Sequence, residues 1–248
     1  MRIAVLGLGE AGGRIATDLV AAGCDVVGFD PARRPDDLVC ADTAVAAVAG
    51  ADVVLSVNAA TVALETASRV AEALGADALY ADLNTAAPDL KRELAAALPV
   101  AFADVALVGV VPASGLATPA LASGAGAERF AQLFRPLGMP VDVVSGEPGD
   151  AAGLKLLRSV FMKGIAVAAI ESLAAAEAAG VEDWVRSDIA GVLGESLLQR
   201  LIAGSKAQAA RLVDEMHAAT VYVRHLGVEP RIAAAAAAWL EQLRDEVP

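Results

Sequence analysis

The sequence predicts an α/β fold: a doubly wound parallel sheet over residues 1–149, followed by an all-α domain over residues 150–248. Three observations carry this reading. A buried strand at the start of the chain runs into spaced glycines, then an amphipathic helix and a second strand; apolar strands and helical stretches alternate through residue 99; and beyond Gly149 alanine, leucine and paired charges recur at helical spacing with little β-branched alternation. The 248 residues exceed one domain of ordinary size, roughly 100 to 150 residues, so two compact units are expected.

Arg2 to Leu6 is short and rich in branched apolar residues, and it ends where Gly7, Gly9 and Gly12 fall in G-x-G-x-x-G register. From Gly12 to Ala22, Ile15, Ala16, Leu19 and Val20 recur at helical spacing until Gly23 stops the helix. Asp25 to Phe29 is the second strand, closed by Asp30. A βαβ unit with an acidic residue roughly 20 positions past the glycines is the Rossmann-type dinucleotide arrangement. Gly7 permits the sharp turn, Gly9 removes the side chain that would hold a pyrophosphate off the backbone, and Gly12 lets helix pack close to strand. The loop Gly7, Leu8, Gly9, Glu10, Ala11, Gly12 would thus offer its N–H groups and the helix dipole to phosphates. Asp30 would accept from the ribose hydroxyls, and Asn58 and Thr85 complete the expected cofactor contacts.

The remaining elements follow in order. A loop and short helix precede a strand at Val53 to Val57; a helix leads to the strand Leu79 to Leu83; and Pro88 suits the first turn of the next helix, where its missing N–H costs nothing. Residues 100–110 and 140–146 read as later strands with a helix at 127–138 between them. After Asp150 the helical breaks fall near Gly180, Gly204 and Gly227 to Pro230, and the run RIAAAAAAWL reads as a packed helix of small residues.

The net charge of −12 argues against nucleic acid or an anionic membrane as partner. Cys24 and Cys40 lack metal-ligand spacing and read as reduced thiols, so no metal site is expected. His217 and His225 read as surface or internally satisfied histidines. With Glu10 so early and no stretch read as a membrane span, a cytoplasmic location is expected.

Three segments resemble the β-hydroxyacid dehydrogenase superfamily, which includes 6-phosphogluconate and 3-hydroxyisobutyrate dehydrogenases, and in particular a branch with a shortened helical C-terminal domain. GLGEAGGRIATDL resembles its cofactor motif, YADLNTAAP the segment after its fourth strand, and GEPGDAAGLKLLRS its G-x-x-G-x-x-x-x-x-K helix. The resemblance implies an NAD- or NADP-dependent oxidoreductase, with Lys155 handling the proton of a small hydroxy-acid substrate while hydride moves to or from the nicotinamide. A lysine's reference pKa, about 10.4, is high for that task, so partial burial would have to lower it.

Four residues on, the family's usual substrate-binding asparagine is replaced by Ser159, with one donor fewer, and Ser159 joins Lys155 as a candidate catalytic residue. The family's substrate loop also changes: ADVALVG keeps Asp104 and Gly109 but has Val108 in place of the serine, with Ser114 as a substitute hydroxyl. Lys163, roughly 80° round the helix from Lys155, and the planar fork of Arg211 are further substrate-binding candidates beside a plain surface role. NAD is favoured over NADP because Asp30 would repel a 2′-phosphate, although Arg33 and Arg34 lie where arginines bind that phosphate. A homodimer is expected, since apolar helix faces would otherwise stay uncovered. Two alternatives stay open: an imine reductase of the same architecture, and a non-catalytic NAD-binding redox sensor.

Overall fold

The computed structural model describes residues 1–245, so the last positions of the predicted helical domain, 246–248, lie outside the described residues. The chain divides into two compact units, one from Met1 to Lys155 and one from Leu156 onward.

The first unit holds eight strands: β1 (Arg2–Leu6), β2 (Asp25–Phe29), β3 (Val39–Cys40), β4 (Val53–Ser56), β5 (Leu79–Asp82), β6 (Ala101–Leu107), β7 (Ala120–Ser123) and β8 (Val141–Val143). They form one sheet in the order β3-β2-β1-β4-β5-β6-β7-β8. Helices α1 (Glu10–Ala21), α2 (Ala44–Val48), α3 (Ala60–Val70), α4 (Pro88–Ala97), α5 (Val111–Ser114) and α6 (Ala127–Phe134) connect them. Both faces of the sheet are covered. Ile3, Val5, Ile15, Leu19 and Phe130 belong to one core cluster, whereas Ala4, Leu6, Val54, Ala67 and Leu94 belong to another. Strands buried on both sides need no polar alternation, which is why they read as continuous apolar runs.

The first unit departs from the sequence expectation in its short strand β3, in the direction and presence of β7, and in the start of α1. The sheet is not wholly parallel: β7 runs antiparallel to β6, and β8 is parallel to β7. A chain returning through a short connection rather than a full helical crossover enters the sheet in the reverse direction. β7 escapes notice in the sequence because its residues, Ala120 to Ser123, are small and carry little strand propensity. Helix α1 begins at Glu10 rather than Gly12, which sets Gly12 inside its first turn.

The long helix α7 (Asp150–Ala178) starts in the first unit and continues into the second, where α8 (Glu182–Leu193), α9 (Glu195–Ala207), α10 (Ala209–His225) and α11 (Arg231–Asp245) follow. Leu156, Val167, Ile170, Leu212, Met216, Ala236 and Leu240 are among the buried residues of the helical core. The break expected near Gly204 falls at Gln208, between α9 and α10, and a further break lies at Gly194, whose φ of 82° suits a residue without a Cβ. Contrary to expectation, among the described residues one helix, α7, is long and apolar enough to cross a membrane by length and composition; 39% of its most apolar window is buried within the protein.

Candidate functional site

The strand order reverses on either side of β1, between the connections that follow β1 and β4, and open α/β sheets bind ligands at such a point. The glycine loop lies there. Gly7 has φ +101°, and a Cβ on it would meet the Val57 carbonyl oxygen at 2.4 Å; a Cβ on Gly12 would lie 1.9 Å from the Gly7 carbonyl oxygen. Neither position tolerates a side chain unless the loop moves. A Cβ on Gly9, by contrast, has nothing within 4 Å, and Gly9 caps α1 without a side-chain hydrogen bond. The start of α1 therefore keeps open space in front of its amides, which fits a pyrophosphate. Glu10 is exposed and Ala11 half-buried in this first turn. Asp30 grips the loop itself: Oδ2 accepts from Leu8 N and Oδ1 from Ala32 N, each at 2.8 Å, leaving each oxygen a lone pair for a further donor. Arg34 is held by Asp42 at 2.7 Å, while Arg33 is exposed.

A second polar assembly went unnoticed in the sequence. Ser56, Asp82, Asp104 and Ser123 stand at matching register positions on β4, β5, β6 and β7, and all four are fully buried. Two carboxylates side by side on neighbouring strands repel, and Lys91 of α4, also fully buried, offsets this. Its Nζ donates to Asp82 Oδ2 at 2.6 Å and to the Asp82 carbonyl at 2.9 Å, and pairs with Asp104 Oδ1 at 3.2 Å. Burial opposes the Lys91 charge, but the two carboxylates outweigh it and hold its pKa above the ordinary lysine value. The Asn84 amide nitrogen lies 2.5 Å from Asp82 Oδ1, 2.9 Å from Asn58 Oδ1 and 3.1 Å from Ser56 Oγ. Asn84 Oδ1 is a buried acceptor with no hydrogen-bond partner among the described residues.

Beside this row, Lys155 Nζ donates to Thr85 Oγ1 at 2.6 Å, and both residues are half-buried. A cationic donor and a hydroxyl in contact at a partly open position can exchange a proton with a third oxygen that replaces either partner. Ser114 ends the single-turn α5 and is exposed.

The other predicted substrate residues belong to the helical unit and gather around a carboxylate that sequence reading missed. Ser159 Oγ donates to Glu215 Oε1 at 2.5 Å, and Arg211 donates to Glu215 Oε2 at 3.5 Å and to Gln208 at 2.5 Å. Ser159 was expected to offer a donor to substrate; its proton is committed to Glu215, which leaves it lone pairs only. Burial pushes the Lys163 ammonium pKa down, with Arg211 and Arg158 adding to the shift and Glu215 opposing it. His217 pairs with Glu241 at 2.9 Å, and His225 is exposed at the end of α10.

Residues 2–131 match the sequence model of the NAD binding domain of 6-phosphogluconate dehydrogenase, and residues 176–243 match a domain of unknown function (DUF1932). A curated relative, an uncharacterised 28.5 kDa protein of Methanothermus fervidus, is 26% identical over 137 residues; the match covers 55% of this chain and about half, 52%, of that protein. Among solved structures, conserved protein MTH1747, described as structurally similar to 3-hydroxyacid dehydrogenases, is 26% identical with a TM-score of 0.77, covering 99% of this chain and 97% of that one. The 3-hydroxyisobutyrate dehydrogenase of Mycobacterium tuberculosis, solved with L-serine, shares the fold at a TM-score of 0.82 and 21% identity, covering 99% of this chain and 94% of that one. An imine reductase variant from Myxococcus stipitatus in complex with NAD+ shares it at 0.68 and 18%, covering 99% and 94%.

Proposed function

The chain belongs to the family of the NAD binding domain of 6-phosphogluconate dehydrogenase, and from that premise we propose that it is an oxidoreductase interconverting a small hydroxy acid and its oxo counterpart, with Lys155 as general acid and base. The observation that carries the reading is the 2.6 Å contact between Lys155 Nζ and Thr85 Oγ1. When bound, the nicotinamide supplies the two-electron acceptor or donor. Gly7 to Gly12 and Asp30 would hold the cofactor, and Asn84 Oδ1, buried and without a hydrogen-bond partner among the described residues, is an acceptor still unused.

Oxidation of a CH–OH carbon removes a hydride from carbon and a proton from oxygen, and the proton needs an acceptor within hydrogen-bond reach. A substrate hydroxyl that takes the place of the Thr85 hydroxyl against Nζ gives its proton to the neutral amine. In the reverse direction the ammonium protonates the nascent alkoxide. The imine-reductase reading fits the same fold, but Lys155 favours carbonyl chemistry, since interconverting an alcohol and a carbonyl needs a proton carrier at the oxygen and the Lys155 ammonium sits against a hydroxyl. The direct test is nicotinamide absorbance with a panel of 2- and 3-hydroxy acids, their oxo partners and cyclic imines. The reading expects turnover within the acid and oxo-acid set and fails if that set is inert.

Two further expectations go with this reading. The Asp30 carboxylate at the end of β2 would sit against a 2′-phosphate, so NAD is expected to bind more tightly than NADP. Calorimetric titration with both cofactors checks it, and about tenfold tighter NADPH binding contradicts it. Helix α8 buries none of its residues within the helical unit and leaves Trp184 71% and Val192 80% exposed. A second copy of the chain covering that surface makes a homodimer. Light scattering at micromolar concentration is expected to give the dimer mass; a monomer overturns it.

A further inference from the structure

We propose that Asp104 is a positioning residue for Lys155, and that the buried Asp82–Lys91–Asp104 cluster sets both partners of the Lys155–Thr85 contact before substrate arrives; the importance of that contact rests on the reading of Lys155 as the proton-transfer group.

The first link is the start of α7. Asp104 Oδ2 accepts from Gly149 N at 3.1 Å and from Ala152 N at 3.0 Å, and Ser123 Oγ accepts from Ala151 N at 3.0 Å while donating to Asp104 Oδ2 at 3.2 Å. The opening turn of a 29-residue helix is thereby fastened to β6 and β7 through three of its orphan amides. Gly149 reinforces the joint: its φ is +105°, and a Cβ there would meet the Pro88 carbonyl oxygen at 2.7 Å. Lys155 follows Ala152 within one helical turn, so its Cα is fixed by Asp104 with almost no intervening chain.

The second link is Thr85. Lys91 Nζ binds both the side chain and the carbonyl of Asp82, and Asp82 Oδ1 takes the Asn84 amide immediately before Thr85. One ammonium thus ties the segment that carries the acceptor hydroxyl to the strand whose aspartate caps the helix that carries the donor. The charges are consistent with this arrangement. Two carboxylates and one ammonium leave one excess negative charge, and Asp104 directs it at the α7 amides, where the helix dipole favours an anion. A buried ion cluster is no cheap source of stability, since apolar residues of similar volume often do as well. Its directional bonds supply what apolar packing lacks, a fixed relation between two side chains.

The test uses the full chain labelled with 15N-lysine. Only four lysines, at 91, 155, 163 and 206, contribute side-chain signals, and Lys155→Arg identifies the one that matters. In the unaltered protein the Lys155 ammonium signal is expected to be protected from exchange by Thr85, and Thr85→Val should abolish that protection. Asp104→Asn keeps the size of the side chain and leaves Lys91 paired with Asp82. It is expected to shift or broaden the Lys155 signal beyond detection while the Lys163 and Lys206 signals stay in place, and to lower kcat by about 10- to 100-fold with KM within about threefold. If Asp104→Asn does not fold, Ser123→Ala removes one strut of the same joint and is expected to move the Lys155 signal in the same sense. A Lys155 signal unchanged in whichever of these variants folds overturns the proposal. The NMR result stands whether or not any substrate is found, so an inert substrate panel would refute the functional reading without deciding this one.

Discussion

Lys155→Ala is expected to lower turnover by about 10² to 10⁴-fold, the usual contribution of one positioned acid or base. Cofactor affinity should stay within about threefold, since Lys155 takes no part in the glycine loop, whose shape comes from Gly7, Gly12 and the Asp30 grip on Leu8. Lys155→Met separates charge from shape. The thioether stem keeps most of the packing of a half-buried lysine stem but cannot carry the proton. A loss in the methionine variant matching that in the alanine variant assigns the effect to the ammonium. Activity near the unaltered level in Lys155→Met contradicts the role.

The second large effect is on stability. Lys91→Met leaves Asp82 and Asp104 facing each other, fully buried, without their cation. Removing one partner of a buried ion pair costs about 3 to 5 kcal/mol, which for a chain of this size lowers the unfolding midpoint by roughly 6 to 20 °C. The pH dependence has a definite sign. With the cation gone, one carboxylate favours its neutral form in the folded protein more than in the unfolded chain, so the folded state takes up the extra proton and the deficit shrinks as pH falls through the acidic range. In the unaltered protein, Lys91 has its pKa raised on folding; its stabilising contribution is present below the ordinary lysine pKa and is lost only as pH rises through the raised one. Thermal unfolding of the variant followed from pH 4 to pH 8 measures the first effect; the second lies above the ordinary lysine pKa and is followed in the parent from pH 8 upward. A Lys91→Met variant within about 1 kcal/mol of the parent at pH 7 contradicts the account.

The glycine loop was legible because its signal is local. A strand, three glycines at fixed spacing, a helix and an acidic strand end all lie within thirty residues, and each has its own physical reason. The polar row was not, because its members are far apart in the chain and only sheet register aligns them. A trace of it is visible in hindsight: VVLS, LYAD, AFAD and ALAS each carry one polar residue after an apolar or small run, and in the sheet the four stand abreast. Lys91 reads as an ordinary charge on an amphipathic helix until the packing of α4 places it among aspartates. Glu215 and Ser159 are likewise joined only through the packing of the helical unit, which commits the Ser159 hydroxyl proton to Glu215. Strand β7 was missed for a different reason, since small residues carry weak strand preference whatever their neighbours.

Proton transfer by Lys155 during hydride exchange with a carbonyl is tested by one comparison: single-turnover nicotinamide oxidation by the parent and by Lys155→Ala, each with an oxo acid and with a cyclic imine. Rapid oxidation with the oxo acid is expected in the parent, with loss of about 10² to 10⁴-fold in the variant and little turnover of the imine in either. Imine reduction that survives Lys155→Ala would contradict it and transfer the protein to the imine-reducing relatives, and tight NAD binding with no oxidation in any arm would mark it as a sensor of the cofactor.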